Sequence, residues 1–405
     1  MKTVLITGVT GYLGGALAAG FLARGHRVIA LARNDARGER AQSSVVAAAA
    51  GFGDSLTAEA LSRLQVLPND LSALPNELLQ KLDAVWHCAA EMSFASRRLE
   101  SSFSANVGDT HALYARIRDA CPQKPRFNYV STAYTGGIES AKIDEVLHLS
   151  PTLTNPYFVS KWSAELMLAE CARQAHALPV TLFRPSVVVG HTRTGWYGGK
   201  SFGPYNFIDG FHVSKSLGNR RLRLDIEPEI SHNYVGIDDV VHNALALSTE
   251  RVQEPQLSIV HAIGSELTNA EGARLIAREL GVQVEFGAPR TVGDHALASW
   301  VFSQQRFNQR AAVVRRFPLV AGNLRRLLQQ QFAEHPVDAD TFTRLTRWYC
   351  QHRLAHISGR HGLPIRLPMQ ATRLLHASGL EWAVLPKRQA ANLLLSSMAR
   401  AYFAS

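Results

Sequence analysis

The chain has 405 residues, of which 46% are hydrophobic, and a formal net charge of +10 at pH 7. This length and composition are enough to bury a large core, which excludes a disordered protein. No window approaches the roughly 20 uninterrupted apolar residues of a membrane span, and the four cysteines show neither metal-ligand spacing nor the density of a disulfide framework. We therefore expect a cytoplasmic protein with no transmembrane segment, no bound metal and no nucleic-acid partner.

The first predicted unit is a strand, a glycine-rich turn and a helix. An apolar run at residues 3–6 precedes Gly8, Gly11 and Gly14, which stand three residues apart, and a helix-forming run follows at residues 16–23. This spacing allows a sharp turn, exposes backbone N–H groups at a helix N-terminus and lets a pyrophosphate approach without a Cβ in the way. Residues 26–32 read as a second buried strand, so the unit predicts a dinucleotide site.

The end of this second strand bears on the choice of cofactor. A carboxylate there would bind the ribose 2′-hydroxyl of NAD, whereas an arginine would accommodate the 2′-phosphate of NADP. Arg33 closes the predicted strand and Arg37 follows closely. The pattern favours NADP(H) over NAD(H), unless the strand runs two residues further and presents Asp35.

Three more strands follow, after an Ala/Ser-rich helix predicted at residues 41–62. The strand at 64–71 presents Asp70, a candidate acceptor for the adenine amino group. The run at 84–90 ends in Ala89 and Ala90, whose small side chains let the backbone lie flat against a cofactor. With a further strand at 127–131, strand and helix alternate repeatedly, which predicts an α/β fold with a doubly wound parallel sheet of the Rossmann type.

The candidate reacting groups follow the strand at 127–131. Thr132 stands at its carboxyl end, and Tyr157 and Lys161 are separated by one turn of the next predicted helix, so that they share a face. A carbonyl that accepts hydride needs a proton or hydrogen bond on its oxygen, and a neighbouring ammonium lowers the pKa of a tyrosine toward the working pH. We expect Tyr157 to act as the acid, with Thr132, or alternatively Ser131, bonding the same oxygen.

Seven segments carry a resemblance: residues 7–14, Asp70-Leu71, residues 88–90, Asn106, Ser131-Thr132, Tyr157-x-x-x-Lys161 and residues 184–187. Taken together they resemble the extended short-chain dehydrogenase/reductase family over roughly residues 1–285. Residues 129–134 and 183–196 are in addition similar to motifs of its thioester-reductase and fatty-acyl-CoA-reductase branch, of the male-sterility type. His191 departs from the branch, which more often has a carboxylate or small polar residue there.

The resemblance implies a reductase that uses NADP(H) and has catalytic residues Thr132, Tyr157 and Lys161. Lys161 would also hold the nicotinamide ribose. The implied cofactor-binding residues are Gly8, Thr10, Gly11, Tyr12, Leu13, Gly14, Arg33, Arg37, Asp70, Leu71, Ala89, Ala90, Asn106, Lys161, Pro185 and Val187. The implied substrate is an acyl thioester, and because no adenylation or carrier segment precedes the domain, we expect it to arrive on coenzyme A or on a separate acyl-carrier protein.

The domain organisation predicted from the sequence has a reductase domain at 1–290 and a basic helical region at 291–405. The nucleotide-binding core takes up about 1–190, and the smaller substrate-binding part about 191–233 and 255–290. From residue 301 onward there are 15 arginines and lysines against 4 acidic residues, and helices are predicted at 302–331, 337–357 and 390–403. This region is interpreted as a lid over an acyl tunnel, a dimer surface or a helix at a membrane surface.

Two other functions fit the same residues. One is reduction of a ketone or aldehyde on a free small molecule, or conversion of a nucleotide sugar. The other is a nucleotide-sensing protein without catalysis, although such proteins usually lose the tyrosine or lysine, and this chain retains Tyr157 and Lys161.

Overall fold

The computed structural model describes residues 1–138, 141–216, 220–249, 255–288, 290, 294 and 317–354. The strands in chain order are β1 (Thr3–Thr7), β2 (Arg27–Ala32), β3 (Leu64–Pro68), β4 (Ala84–His87), β5 (Arg126–Val130), β6 (Val180–Pro185), β7 (Val187–Val189), β8 (Arg221–Leu224), β9 (Ser231–Gly236), β10 (Leu257–Ala262), β11 (Ser265–Thr268) and β12 (Gln283–Phe286). The helices are α1 (Tyr12–Ala23), α2 (Glu39–Phe52), α3 (Ala58–Ser62), α4 (Asn76–Leu79), α5 (Leu99–Phe103), α6 (Asp109–Ala120), α7 (Pro156–Cys171), α8 (Pro204–Ser216), α9 (Ile237–Thr249), α10 (Asn269–Leu280), α11 (Asn323–Leu328) and α12 (Ala339–Tyr349).

Among these elements, seven strands form one sheet in the order β10-β6-β5-β4-β1-β2-β3. Each pair of neighbours in it runs parallel. The order reverses at β1, since β2 and β3 lie on one side of it and β4 on the other. Ligands of open α/β sheets bind at such a switch point, outside the carboxyl ends of the strands. The predicted Rossmann-type parallel sheet is confirmed.

The core of the first unit combines large buried side chains on the strands with a glycine where two helices meet. Val4, Leu5 and Ile6 of β1 are fully buried, as expected for a strand covered on both faces. In α1, a Cβ at Gly20 would lie 2.7 Å from the Leu245 side chain of α9. Glycine at this position therefore lets α1 and α9 approach each other.

Two predicted boundaries differ from the observed ones. The helix expected at 41–62 is two helices, because Gly53 ends α2 in a left-handed conformation with φ of 86°, and α3 starts again after the Thr57 cap. Strand β3 ends at Pro68, before Asp70. Asp70 therefore lies in the loop beyond the sheet.

The chain divides into two compact units. The first comprises Met1–Thr192, Asn233–Ser265 and Phe317–Pro336 and contains the seven-stranded sheet. The described residues of the second fall within 193–232, 266–294 and 337–354; there β8 pairs with β12 in parallel, and α10 begins with a capping box of Thr268 and Glu271. The predicted division into 1–290 and 291–405 stays a prediction.

The C-terminal helices agree with the sequence only in part. Residues 317–322 are not helical: Pro318 lacks an N–H, and Leu319 pairs with Ile143 as an isolated parallel bridge. Helix α11 covers a few residues of the helix expected at 302–331, and α12 lies within the one expected at 337–357. The helix expected at 390–403 lies outside the described residues. No helix of the described part has the length and apolar character needed to cross a bilayer.

Candidate active site

The glycine turn after β1 lies against the end of β4. Gly8 has a φ of 71°, and a Cβ on it would lie 2.7 Å from the Ala89 amide nitrogen. The Gly11 amide donates to the Gly8 carbonyl at 2.9 Å, and a Cβ on Gly14 would collide with that same carbonyl oxygen. The turn is therefore a backbone cradle that side chains would fill, at the N-terminus of α1 and at the switch point of the sheet. These features fit a pyrophosphate.

The other predicted residues of this turn differ in exposure. Thr10 is exposed, whereas Tyr12 and Leu13 are half-buried at the start of α1. The Tyr12 hydroxyl donates to the Val189 carbonyl at 2.8 Å, which ties α1 to β7. The Ala89 amide donates to the Thr7 hydroxyl at 3.1 Å, so the loop with Ala89 and Ala90 is held beside the turn.

At the end of β2 the arginines and the aspartate have different environments. Arg33 and Arg37 are exposed. Asp35 is buried, and its carboxylate accepts the backbone N–H groups of Arg40 at 3.1 Å and Ala41 at 2.9 Å in the first turn of α2. Because β2 ends at Ala32, the longer strand that would have presented Asp35 does not form.

The residues beyond β3 include a local turn. Exposed Asp70 accepts from the amide of Ser72 at 3.0 Å and from its hydroxyl at 2.6 Å, and these bonds lower the pKa of Asp70. Leu71 is half-buried against the hydrophobic core. The structure therefore assigns Asp70 a turn-forming contact, and its predicted contact to adenine stays a prediction.

Asn106 joins two parts of the site. It lies in a π-helical stretch, Ser104–Gly108, and is 1% exposed. Its side chain accepts from the Glu91 amide at 2.8 Å and donates to the Glu91 carbonyl at 3.0 Å. It also donates to the Ser160 hydroxyl at 2.9 Å. Asn106 thus holds the loop after β4 against α7.

Helix α7 carries the predicted Tyr-Lys pair on one buried face. The helix starts at Pro156, and the Asn155 side chain caps it by accepting from the Phe158 amide at 2.8 Å. Tyr157, Lys161 and Glu165 follow at four-residue spacing, and all three are buried. This spacing places them on one stripe of the helix, toward the carboxyl ends of the sheet strands.

Lys161 is fixed to the strand that precedes Thr132. Its Nζ donates to the carbonyl of Val130, the last residue of β5, at 2.6 Å. It also lies 4.3 Å from the centroid of the Tyr129 ring. These contacts place the amine directly beside the Ser131-Thr132 segment.

Burial disfavours the charged form of both Tyr157 and Lys161 and shifts their pKa values accordingly. Desolvation raises the pKa of Tyr157 well above its usual value. Desolvation also lowers the pKa of Lys161 to about 7, although Cys88 and Glu165 oppose the shift. The expectation that the ammonium lowers the pKa of Tyr157 is therefore wrong, because desolvation causes the shift and acts in the opposite direction.

The hydroxyls at the carboxyl ends of β5 and β6 are buried. Thr132 caps the short 3-10 turn that follows it, accepting from the Tyr134 amide at 3.4 Å. Within the described residues, the hydroxyls of Ser131 and Ser186 have no hydrogen-bond partner. Ser186 lies between Pro185, the last residue of β6, and Val187, the first of β7. Because buried hydroxyls normally have partners, these two serines leave hydrogen-bonding capacity free at the carboxyl ends of β5 and β6, which fits a polar ligand there.

Two buried groups near the pair were given no role from the sequence. Glu165 forms a bidentate ion pair with Arg184 of β6, with N–O distances of 2.8 and 2.7 Å. The signal for Glu165 was its position four residues after Lys161. His87 is not among the residues predicted from the sequence, and its ring nitrogens contact the hydroxyls of Thr7 at 2.7 Å and Thr110 at 2.9 Å. Burial lowers the pKa of His87 to about 3, so it packs as a neutral ring.

The fold and the arrangement at the switch point define the class of protein: an NAD(P)-dependent oxidoreductase domain of the extended short-chain dehydrogenase/reductase type. Residues 6–243 match the model of an NAD-binding family that is described as male sterility protein. Since this is more than half of the chain, the chain belongs to that family. The predicted family and the predicted enzyme class are confirmed.

Relatives in three organisms match just under half of the chain. The polyketide synthase-nonribosomal peptide synthetase ACE1 of Pyricularia oryzae is 32% identical over 205 residues, 47% of this chain and 5% of that protein. Glycine betaine reductase ATRR of Emericella nidulans is 30% identical over 220 residues, 48% of this chain and 16% of that protein. The isonitrile lipopeptide synthase of Mycobacterium tuberculosis is 32% identical over 218 residues, 47% of this chain and 8% of that protein. The chain thus spans a small fraction of the length of these relatives.

Solved structures share the fold at low sequence identity. UDP-glucuronic acid 4-epimerase from Bacillus cereus, in complex with UDP-glucuronic acid and NAD, has a TM-score of 0.62 and 16% identity over 86% of this chain and 99% of its own. MoeE5, in complex with UDP-glucuronic acid and NAD, has a TM-score of 0.60 and 18% identity over 87% of this chain and 99% of its own. At such identities the likeness shows the fold alone.

Proposed function

We propose that the chain is an NADPH-dependent reductase that converts an acyl thioester to the aldehyde, with a second reduction to the alcohol open to the same site. The observation that carries the proposal is the buried face of α7, where Tyr157 and Lys161 lie one turn apart and Lys161 bonds the Val130 carbonyl just before Ser131 and Thr132. The polyketide and peptide synthetases among the relatives support a carrier-bound acyl group, and the named glycine betaine reductase supports reduction of an acyl substrate.

The proposed chemistry uses hydroxyls as donors to the substrate oxygen. When bound, NADPH supplies a hydride for the thioester carbonyl carbon. Tyr157 stays protonated near neutral pH because burial raises its pKa, so it bonds the carbonyl oxygen and gives it a proton, and Thr132 donates a second hydrogen bond. The hemithioacetal then breaks its C–S bond, its hydroxyl proton passes to the sulfur, and the products are aldehyde and thiol.

The residues that would hold the cofactor line the switch point. The cradle formed by Gly8, Gly11 and Gly14 would take the pyrophosphate, with Thr10, Tyr12 and Leu13 beside it. Lys161 would hold the nicotinamide ribose. The other residues proposed to contact the cofactor are Asp70, Leu71, Ala89, Ala90, Asn106, Pro185 and Val187.

The preference for NADPH rests on the end of β2. The Asp35 carboxylate already bonds two backbone amides of α2, whereas Arg33 and Arg37 lie exposed at the strand end. A guanidinium there is suited to a 2′-phosphate, with which it forms charge-assisted hydrogen bonds.

Supply of candidate substrates tests the function. The purified protein receives NADPH with acyl-CoA, with an acylated carrier protein, and with free ketones, aldehydes or nucleotide sugars, while loss of nicotinamide absorbance is followed. The proposal expects turnover of a thioester. Turnover of free carbonyls or nucleotide sugars alone would replace it with the alternative reaction class, and binding of NADPH without turnover of any substrate would favour the non-catalytic reading.

A further inference from the structure

Arg184 connects β6 to the catalytic helix from a fully buried position. Its Nε and Nη2 donate to the two carboxylate oxygens of Glu165 on α7. Its Nη1 donates to the Val146 carbonyl at 3.0 Å and approaches Nε2 of His261 at 3.4 Å. Both side chains of the Arg184–Glu165 pair are at most 1% exposed. An ion pair with this geometry leaves α7 little freedom to shift along the strand.

His261 continues the chain of contacts beyond Arg184. Its Nδ1 lies 2.7 Å from the Val320 carbonyl oxygen. A carbonyl only accepts and a guanidinium only donates, so Nδ1 carries the proton and Nε2 is the acceptor. His261 is therefore a neutral ring with a fixed tautomer, and burial together with the Arg184 charge lowers its pKa to about 3. We call the series Val320 carbonyl, His261, Arg184 and Glu165 the relay.

Val320 belongs to a segment of the first unit that is hydrogen-bonded at several points to the rest of that unit. This segment, Phe317–Pro336, is called the strap. Glu145 accepts the His261 amide at 2.7 Å through one oxygen and the amides of Gly322 and Asn323, at 2.9 and 2.7 Å, through the other. Asn323 donates to the Ile259 carbonyl at 2.9 Å.

The strap is anchored again near its far end. The Asn243 side chain of α9 exchanges two hydrogen bonds with the backbone of Ala333, at 2.8 and 2.9 Å. The His335 backbone amide donates to Asp239 at 2.6 Å. These anchors, like those of Glu145, bind mainly strap backbone and therefore depend on its conformation.

The strap also contacts the short 3-10 turn that follows Thr132. The Phe317 ring packs edge-on against Tyr134, with centroids 4.9 Å apart. Tyr134 stacks with Phe158 at 6.0 Å, and Phe158 follows Tyr157 in α7. Tyr134 also lies in the short turn that Thr132 caps. Phe317 and Val320, only three residues apart, are thus both linked to α7. Phe317 is linked through Tyr134, and Val320 through His261 and Arg184.

We propose that the strap is a positioning element of the reductase, which holds Tyr157 and Lys161 in register with β5 through the relay, and that Glu165, Arg184 and His261 are its positioning residues. This inference rests on the proposed function in so far as α7 is the catalytic helix. The strap comes from a part of the chain more than 150 residues after Lys161, so formation of the site depends on docking of this distant segment.

The test compares His261→Leu, which removes both relay contacts, with His261→Gln, whose amide offers a donor and an acceptor. Asn323→Ala weakens the strap without touching the relay side chains. Tyr114→Phe is the matched control: it removes two buried hydrogen bonds to Leu178, at 3.2 and 2.9 Å, near the amino-terminal end of β6 and away from the site. Proteins comprising residues 1–405 are compared by Tm, by kcat and KM for the acyl thioester, and by the Kd for NADPH.

The relay predicts that His261→Leu lowers kcat by about 10- to 100-fold, since a small displacement of reacting groups has an effect of this order. His261→Gln restores most of the rate, Asn323→Ala gives a smaller loss, and Tyr114→Phe lowers Tm while keeping kcat within about two-fold of the wild type. Unchanged kcat in His261→Leu would overturn the inference, as would an equal loss of kcat in Tyr114→Phe.

NADPH binding distinguishes a failure of this inference from a failure of the proposed function. If the wild-type protein reduces no thioester, the positioning of Lys161 is judged from NADPH binding, followed by nicotinamide fluorescence. The relay then predicts a several-fold higher Kd in His261→Leu than in His261→Gln or Tyr114→Phe. Equal Kd values in all of these variants would refute it.

Discussion

At the scale of single residues, desolvation sets the ionisation of the proposed catalytic pair, Tyr157 and Lys161. Tyr157 is 9% exposed and Lys161 2%. Burial therefore deprives the charged form of each side chain of its favourable hydration. The phenol is therefore protonated at neutral pH, as an acid must be before it acts. With its pKa lowered to about 7, Lys161 is close to the balance between ammonium and amine, so a bound ligand with acceptor groups would shift it toward the ammonium form.

Tyr157→Phe tests the role of the phenol. We expect kcat for thioester reduction to fall by about 10²- to 10⁴-fold, the usual contribution of a general acid, while the Kd for NADPH changes little because the ring remains. Tyr114→Phe, a buried tyrosine bonded to Leu178, serves as the matched loss of a phenol. Steady-state kinetics would contradict the assignment if the two variants retained the same kcat.

Arg33→Ser combined with Arg37→Ser tests cofactor selection. Loss of two charge-assisted bonds to the 2′-phosphate, worth about 1.5–3 kcal/mol each, should raise the KM for NADPH by more than about 100-fold and leave that for NADH nearly unchanged. Arg27→Ser is the control, because Arg27 is exposed at the opposite, amino-terminal end of β2, where it bonds Gln65. An unaltered NADPH-to-NADH ratio in the double variant would exclude these arginines from recognition.

At the scale of elements, two strand-to-helix junctions build the site. The glycine turn between β1 and α1 provides a backbone cradle against β4, and α7 presents Tyr157 and Lys161 beside the end of β5. Both junctions lie at the carboxyl edge of the sheet. The cradle depends on glycines, because a Cβ on Gly8 or Gly14 would collide with the backbone. Helix α7 depends instead on functional side chains that are spaced four residues apart.

Gly8→Ala tests the cradle, with Gly25→Ala as its control. Both glycines have positive φ, 71° and 78°, so alanine costs roughly 1–2 kcal/mol of backbone strain at either position. A Cβ at Gly25 meets nothing within 4 Å, whereas one at Gly8 lies 2.7 Å from the Ala89 nitrogen. We expect both variants to lose stability in urea unfolding but only Gly8→Ala to lose NADPH affinity, by more than about ten-fold. Equal affinity in the two variants would contradict the cradle.

Much of the fold was predictable because local patterns determine it. Apolar runs gave β1, β2 and β4 within a few residues, and the Tyr157–Lys161 spacing placed both on one face of α7. The Glu165–Arg184 pair, the Asn106 link and the strap depend on residues far apart in sequence, which periodicity does not reveal. The pKa direction of Tyr157 was missed because desolvation depends on how completely the finished fold covers the ring.

At the scale of the whole molecule, buried neutral histidines couple folding to pH. Burial lowers the pKa of His87 and of His261 to about 3 from 6.5. The unfolded chain therefore binds protons below about pH 6.5 that the folded chain does not take up until about pH 3. Stability due to these groups is fully present above pH 6.5 and is lost as the pH falls through this window.

His261→Gln tests this coupling. The slope of the free energy of unfolding against pH should decrease by about 1.4 kcal/mol per pH unit between about pH 6 and 4 relative to the wild type, since one proton fewer is taken up on unfolding. Urea unfolding at several pH values measures it. Parallel curves for variant and wild type would show that His261 titrates alike in both states.

The central claim is that a hydride reaches a thioester carbonyl beside Tyr157, and isotope transfer measures this most directly. NADPH carrying deuterium at the transferable position of C4 is incubated with an acyl-CoA or acylated carrier protein, and the product is analysed by mass spectrometry. The account predicts aldehyde or alcohol with deuterium on the former carbonyl carbon, formed by the wild type and nearly absent with Tyr157→Phe. Deuterium found only in products of free ketones, or equal labelling by the Tyr157→Phe variant, would contradict it.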